Sequence, residues 1–255
     1  MNPVGAILAL VVGVVLGLLG GGGSILALPI FLYVFHVPPK PAIAMSLVVV
    51  GMSALIGFLT HWRQGTVNIR VALIFGGLAM IGAFAGARLA RFVPASTQLT
   101  LFLAFALVAA LLMLRDSIRA SRFVPDGVGG DARVRFSPIL GAQAVGVGVL
   151  TALIGAGGGF LIVPALVLVA HVPVKEAVGS SLLIIAMNAA SGVAGYIGQV
   201  PFDWRLVGWF SVVAAMGAIA GTRIVPHLPA ARIKQAFAIL ILVLGAVVVV
   251  RQLAQ

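Results

Sequence analysis

The chain contains no cysteine, which excludes disulfides, thiolate metal sites and cysteine nucleophiles together. It is also poor in acid, with five Asp+Glu against 16 Lys+Arg in 255 residues. Asp116, Asp126, Asp131, Glu176 and Asp203 all fall in links or at the ends of apolar stretches. No apolar stretch has a carboxylate at its middle, where proton- and cation-coupled carriers commonly place an ion relay. A carboxylate relay is therefore not expected. Charge of either sign is scarce, at 8% of residues, where a soluble domain has roughly a quarter.

Hydrophobic residues make up 62% of the chain and the mean hydropathy is +1.24. Too little polar surface exists to wet a globule of this size. Leu73–Ala87, Leu99–Leu114 and Phe237–Val250 carry no charge at all. Crossing a hydrocarbon core takes about 20 mostly apolar residues, and several stretches approach or exceed that length. The chain reads as an all-α polytopic membrane protein, located in a plasma membrane, the inner one of a bacterium. The first apolar run has no Lys or Arg in Met1-Asn2-Pro3 and continues past Ala27, so it reads as mature chain. The net charge of +11 sits in short gaps between apolar runs. There it orients the helices in the bilayer, attracts an anionic substrate, or does both.

Shifted by 135 residues, the chain matches itself without a gap for nearly a hundred positions. Gly20-Gly21-Gly22-Gly23-Ser24 falls on Gly155-Ala156-Gly157-Gly158-Gly159, and Pro29 falls on Pro164. His36-Val37-Pro38 meets His171-Val172-Pro173, Ser46-Leu47 meets Ser181-Leu182, and Gln64 meets Gln199. Gly82, Gly86, Arg88 and Pro94 meet Gly217, Gly221, Arg223 and Pro229. Chance alignment of apolar sequence matches Leu and Val, not Pro, His, Gln and Arg in register. The chain is a duplication: a first repeat over 1–114, a polar linker over 115–136 with five Arg, and a second repeat over 137–255.

Each repeat holds four apolar segments, about 4–35, 41–60, 70–90 and 97–114, then 138–170, 176–198, 204–225 and 234–250. Three of the four have the length of one crossing. The first, at thirty-odd residues, would give roughly 48 Å of helix, too long for one crossing and too short for two. Its glycine cluster costs about 1 kcal/mol per residue in a helix, so two half-helices meeting at a glycine elbow are expected. If that segment crosses once, the repeats are parallel and Lys and Arg divide nine inside to seven outside. If it dips in and returns, the second repeat is inverted and the same 16 divide eleven to five, with the linker inside. The second division suits the positive-inside rule, and an inverted repeat is expected.

The order of features in each half resembles the sulfite exporter TauE/SafE family, also called the toluene sulfonate uptake permeases. It is carried by Gly20–Leu28 with Pro29, Gly155–Val163 with Pro164, and Ala42, Ser46, Leu47 with Ala177, Ser181, Leu182. The resemblance covers almost the whole chain outside the linker. It implies a transporter of small sulfur-containing anions such as sulfite or a sulfonate.

The expected substrate-binding residues are the elbows, Gly21, Gly22, Gly23 and Ser24 with Gly157, Gly158 and Gly159. A half-helix starting there presents unpaired N–H groups and a positive dipole end, which hold an oxyanion without a buried cation. Close helix packing is the alternative use of such glycines. Ser46, Ser180 and Ser181 lie one turn into the second segments, and Asn188 lies deeper, equivalent to Ser53. Their hydroxyls and amide either face the substrate or bond within and between helices. Gln64, Gln199 and His61, at the links after the second segments, are candidate gate residues. Gly82-xxx-Gly86 and Gly217-xxx-Gly221 read as packing contacts, and Arg88 and Arg223 as interfacial snorkels. No cofactor, metal or nucleic acid is expected; the partners are a small anion and the lipid bilayer, with a homo-oligomer left open. A membrane enzyme needs nucleophiles, paired acids or metal ligands at one depth, and none gather. A non-transporting scaffold predicts elbows that face only other helices.

Overall fold

A computed structural model describes residues 3–19, 24–119, 138–155, 157–168, 172 and 174–224. The expected last segment, 234–250, and most of the linker lie outside the described residues. The described residues form nine helices: α1 Pro3–Leu19, α2 Ser24–Tyr33, α3 Pro39–Arg63, α4 Ile69–Leu89, α5 Ala95–Arg119, α6 Pro138–Ile154, α7 Gly159–Leu168, α8 Val174–Tyr196 and α9 Trp204–Ile224. Four are long and apolar enough to cross a membrane: Pro39–Arg63, Ile69–Leu89, Glu176–Tyr196 and Trp204–Arg223. The first segment of the second repeat is split as expected, into α6 and α7; in the first repeat α1 and α2 stand on either side of Gly20–Gly23, which lie outside the described residues. The helix of the fourth segment, α5, runs to Arg119.

Local chemistry starts and stops these helices. Pro39 opens α3, where its missing N–H costs nothing. The Asn68 side chain accepts from the Val71 N–H at 3.2 Å to cap α4, and Asp203 Oδ1 accepts from the Leu206 N–H at 3.0 Å to cap α9. Phe31 of α2 and Phe35, just beyond its end, meet Phe210 of α9, with centroids 5.1 and 6.0 Å apart.

The glycine motifs do pack helices, but their partners come from the other repeat. A Cβ on Gly217 or Gly221 would strike the carbonyl oxygen of Leu10 or Val14 in α1. One on Gly82 or Gly86 would strike that of Val145 or Val149 in α6. The two interfaces are the same interface under the 135-residue shift, down to Gly13 against Ala214 and Gly148 against Ala79. Contact numbers rise together along both helices, so α1 lies parallel to α9, and α6 parallel to α4. At the centre, Gly57 meets Leu182 and Gly192 meets Leu47, so the equivalent helices α3 and α8 run antiparallel. Arg88 and Arg223 are exposed at helix ends, Arg88 with its guanidinium 5.3 Å from the Phe84 ring.

Candidate functional site

The elbow of the second repeat is built by three glycines in the left-handed region: Gly155 at φ +74, Gly157 at +62 and Gly158 at +72. Only glycine holds such a run without strain. They also leave no room for a side chain. A Cβ on Gly155 would lie 2.9 Å from the Cα of Ile43 and from Ser46 Oγ, and one on Gly157 would collide with Val50. One on Gly158 would collide with the γ-methyl of Thr151. The second repeat's elbow thus lies along the α3 face of Ile43, Ser46 and Val50, which belongs to the first repeat.

Ser46 is fully buried, and its hydroxyl hydrogen is shared between the carbonyls of Ile43 at 2.7 Å and Gly155 at 2.6 Å. Its donor is spent on clamping the elbow. Ser24, the first residue of α2, is buried beside Gly157, so the two broken segments meet at this point. Gly21, Gly22 and Gly23 lie outside the described residues. Gly159 opens α7; the Leu161 and Ile162 N–H groups already bond to the Gly158 carbonyl at 2.9 and 3.0 Å, so the amides that precede any intrahelical acceptor are those of Gly159 and Phe160.

Thr151, one turn before the elbow, extends the cluster. It donates to the Gly148 carbonyl at 2.9 Å and accepts from Asn188 Nδ2. Asn188 is thereby held beside the elbow. Thr151 was not among the residues expected from sequence. Its signal was available: the equivalent position in the first repeat is Leu16, so a polar residue had replaced an apolar one.

The remaining candidates disperse. Ser180 Oγ accepts from the Asn68 N–H at 2.9 Å and ties α8 to the α3–α4 link. Ser181 makes the i−3 back-bond to Val178 at 2.7 Å, as Ser46 does to Ile43. Because α3 and α8 are antiparallel, Ser46 and Ser181 stand at opposite ends of the pair. Gln199 Nε2 donates to the Ala87 carbonyl at 3.2 Å, at the far end of the bundle from Gln64, which is exposed. His61 is half-buried, with Nδ1 3.0 Å from Thr66 Oγ1. Thr66 Oγ1 also donates to the His61 carbonyl at 3.1 Å, which ties the residue to the α3–α4 link. Among the described residues no group of three His, Cys, Asp or Glu side chains is placed to hold a metal ion.

A charge-poor helical bundle with four spans of crossing length defines a multi-pass membrane protein. The profile of the sulfite exporter TauE/SafE family matches residues 5–248, and the chain belongs to that family. A "probable membrane transporter protein" of Xylella fastidiosa is 33% identical over 246 residues, covering 95% of this chain and 93% of that protein. One of Bacillus subtilis is 30% identical, covering 88% and 90%, and one of Methanocaldococcus jannaschii is 27% identical, covering 76% and 72%. No solved structure matches the chain. Family and relatives are transporters rather than enzymes.

Proposed function

We propose that this transporter carries a small sulfur-containing anion, sulfite or a compact sulfonate, past the paired elbows of two inverted repeats. One observation carries the reading. Three left-handed glycines place backbone without side chains at the start of α7, against Ser46 and Ser24. Helix starts hold an oxyanion with partial charges of roughly half a unit, so no buried arginine is needed. Ser46 positions the elbow, and Thr151 and Asn188 line its other side. Sulfur enters through the family to which the chain belongs.

The inverted arrangement is supported by the antiparallel course of α3 and α8, which are equivalent by sequence. A two-fold relation between antiparallel equivalents needs an axis across the helices, hence in the membrane plane. The parallel pairing of α1 with α9 and of α6 with α4 agrees. In that arrangement Arg63, Arg70 and Arg223 lie at one face, and Lys40, Arg88, Arg91 and Arg205 at the other.

The test is uptake of labelled sulfite into proteoliposomes with the membrane potential clamped. Sulfate, thiosulfate, sulfoacetate and gluconate serve as competitors. Competition by sulfur oxyanions alone is the expected result. Indifference to every anion, with transport of a cation or of nothing, rejects the proposal.

A further inference from the structure

Asn188 sits in the middle of α8, 2% exposed, and one of its two polar atoms has no partner. Its orientation follows from its neighbour. Thr151 has a single hydroxyl hydrogen and gives it to Gly148, so it meets Asn188 as an acceptor and must face the amide nitrogen. Oδ1 is the atom left over. At the equivalent position of α3, Ser53 is fully buried and its Oγ also lacks a partner. The helices are close here, since a Cβ on Gly51 would lie 2.9 Å from that of Ala189. Ser53 shares the α3 face of Ser46 and Val50, which touch Gly155 and Gly157, while Thr151 is the residue nearest Gly158. The two unpartnered oxygens thus lie on helices beside the elbow, Asn188 one hydrogen bond away from it through Thr151 and Ser53 one turn beyond Val50.

A buried acceptor without a donor costs about 1–3 kcal/mol. The N–H groups of the elbow satisfy ionised oxygens, whereas an amide oxygen repels them and accepts from an O–H. An anion bearing one charge and one hydrogen satisfies both sets of groups. A fully ionised anion of the same shape turns a lone pair toward Asn188 Oδ1. Ionisable groups of the surrounding helices sit near helix ends: Tyr33 on α2, Lys40, His61 and Arg63 on α3, Arg70 and Arg88 on α4, Lys175, Glu176 and Tyr196 on α8, Arg205 and Arg223 on α9. The described span of α6 has none. The choice between ligand forms thus falls to the uncharged groups at the centre.

We infer that the elbow selects a singly protonated oxyanion, hydrogen sulfite rather than sulfite or sulfate, and that Asn188 is the residue that reads the hydrogen. This rests on the anion reading of the elbow above. The experiment uses the full chain in proteoliposomes at clamped potential, with sulfite, methanesulfonate and sulfate as probes. Methanesulfonate is singly charged at every working pH and has no acidic hydrogen. Sulfite uptake at fixed total concentration should fall as pH rises through its second ionisation, while methanesulfonate uptake stays flat. Hydrogen sulfite should be preferred to methanesulfonate by about tenfold, the worth of one satisfied acceptor. Asn188→Leu should bring sulfite down to the methanesulfonate rate and flatten its pH profile. Asn188→Ser, which installs the side chain of the first repeat, should keep part of the preference and serves if the Leu variant does not reach the membrane. Uptake of sulfite that is flat with pH in the wild type, or sulfate carried equally well, overturns the inference. So does a sodium requirement that Asn188→Leu abolishes, which would assign the free oxygen to a cation. Failure of all three anions to move at any pH is a different result, and it removes the anion reading along with this one.

Discussion

The described helices of the two repeats pack alike and differ in the side chains they place around that packing. Where the second has Thr151, Asn188, Ser180 and Tyr196, the first has Leu16, Ser53, Met45 and His61. Gly13, Gly82 and Gly86, by contrast, have glycine equivalents in Gly148, Gly217 and Gly221 that meet equivalent carbonyls, although Gly17, packed on Ala218, is matched by Ala152. At those three paired positions backbone touches backbone with no room for a side chain, so they resist change in both copies alike. Polar groups need only one set of partners, and one copy is enough to supply them. Duplication here conserves geometry and lets the chemistry become one-sided.

The sharpest test of that contrast is at the elbow. Gly158→Ala would strain a residue at φ +72 and drive its Cβ into Thr151, so uptake should fall at least a hundredfold. Gly77→Ala, which meets open space, is the control and should retain uptake. Equal activity of the two variants in the proteoliposome assay would strip the elbow of its special place.

Topology comes next, since it decides how the copies are related. With no native cysteine, Arg88→Cys and Arg223→Cys can be labelled without background. An impermeant maleimide should reach them from opposite sides of the membrane. Labelling of both from one side means parallel copies.

Symmetric packing makes a quantitative demand. Gly82→Ala and Gly217→Ala each push a methyl into a carbonyl of the other repeat's first helix. Each should cost about 1–3 kcal/mol, and the two losses should match in melting of the detergent-solubilised protein. A large difference would show that the interfaces are unlike despite their geometry.

The smallest effect concerns the polar cluster. Thr151→Leu copies the first repeat and leaves the Asn188 amide nitrogen without its acceptor, costing about 1–3 kcal/mol. Leu16→Thr, the reverse exchange, should bring no gain in uptake. Matching responses to the two substitutions would mean that the chemistry is two-sided after all.

Much of this architecture is legible in sequence because it rests on residues that cannot be exchanged. Pro29 and Pro164 in register reveal the duplication, and the elbow is readable because consecutive glycines end a helix. The pairing of α1 with α9 is not legible. Gly217-xxx-Gly221 announces a close neighbour, but a glycine carries no mark of which carbonyl it will meet. Ser180 and Ser46 look alike along the chain, yet one is spent on Asn68 and the other on Gly155. Their distinction depends on which link folds back over which helix, and that is set by packing of the other repeat. Thr151 was hidden by its apolar surroundings and becomes visible only when set beside Leu16.

The exchange of first helices between repeats has a consequence for how the protein is made. Leu19 ends α1, and its packing partner begins at Trp204. At ribosomal speeds of about 5–20 residues per second, α1 leaves the ribosome on the order of 10–40 s before its partner exists. Throughout that wait its glycine ridge faces lipid or the insertion machinery. α6 has no such delay, because α4 is already in the membrane when it arrives. The nascent chain can therefore assemble its α4–α6 interface before its α1–α9 interface.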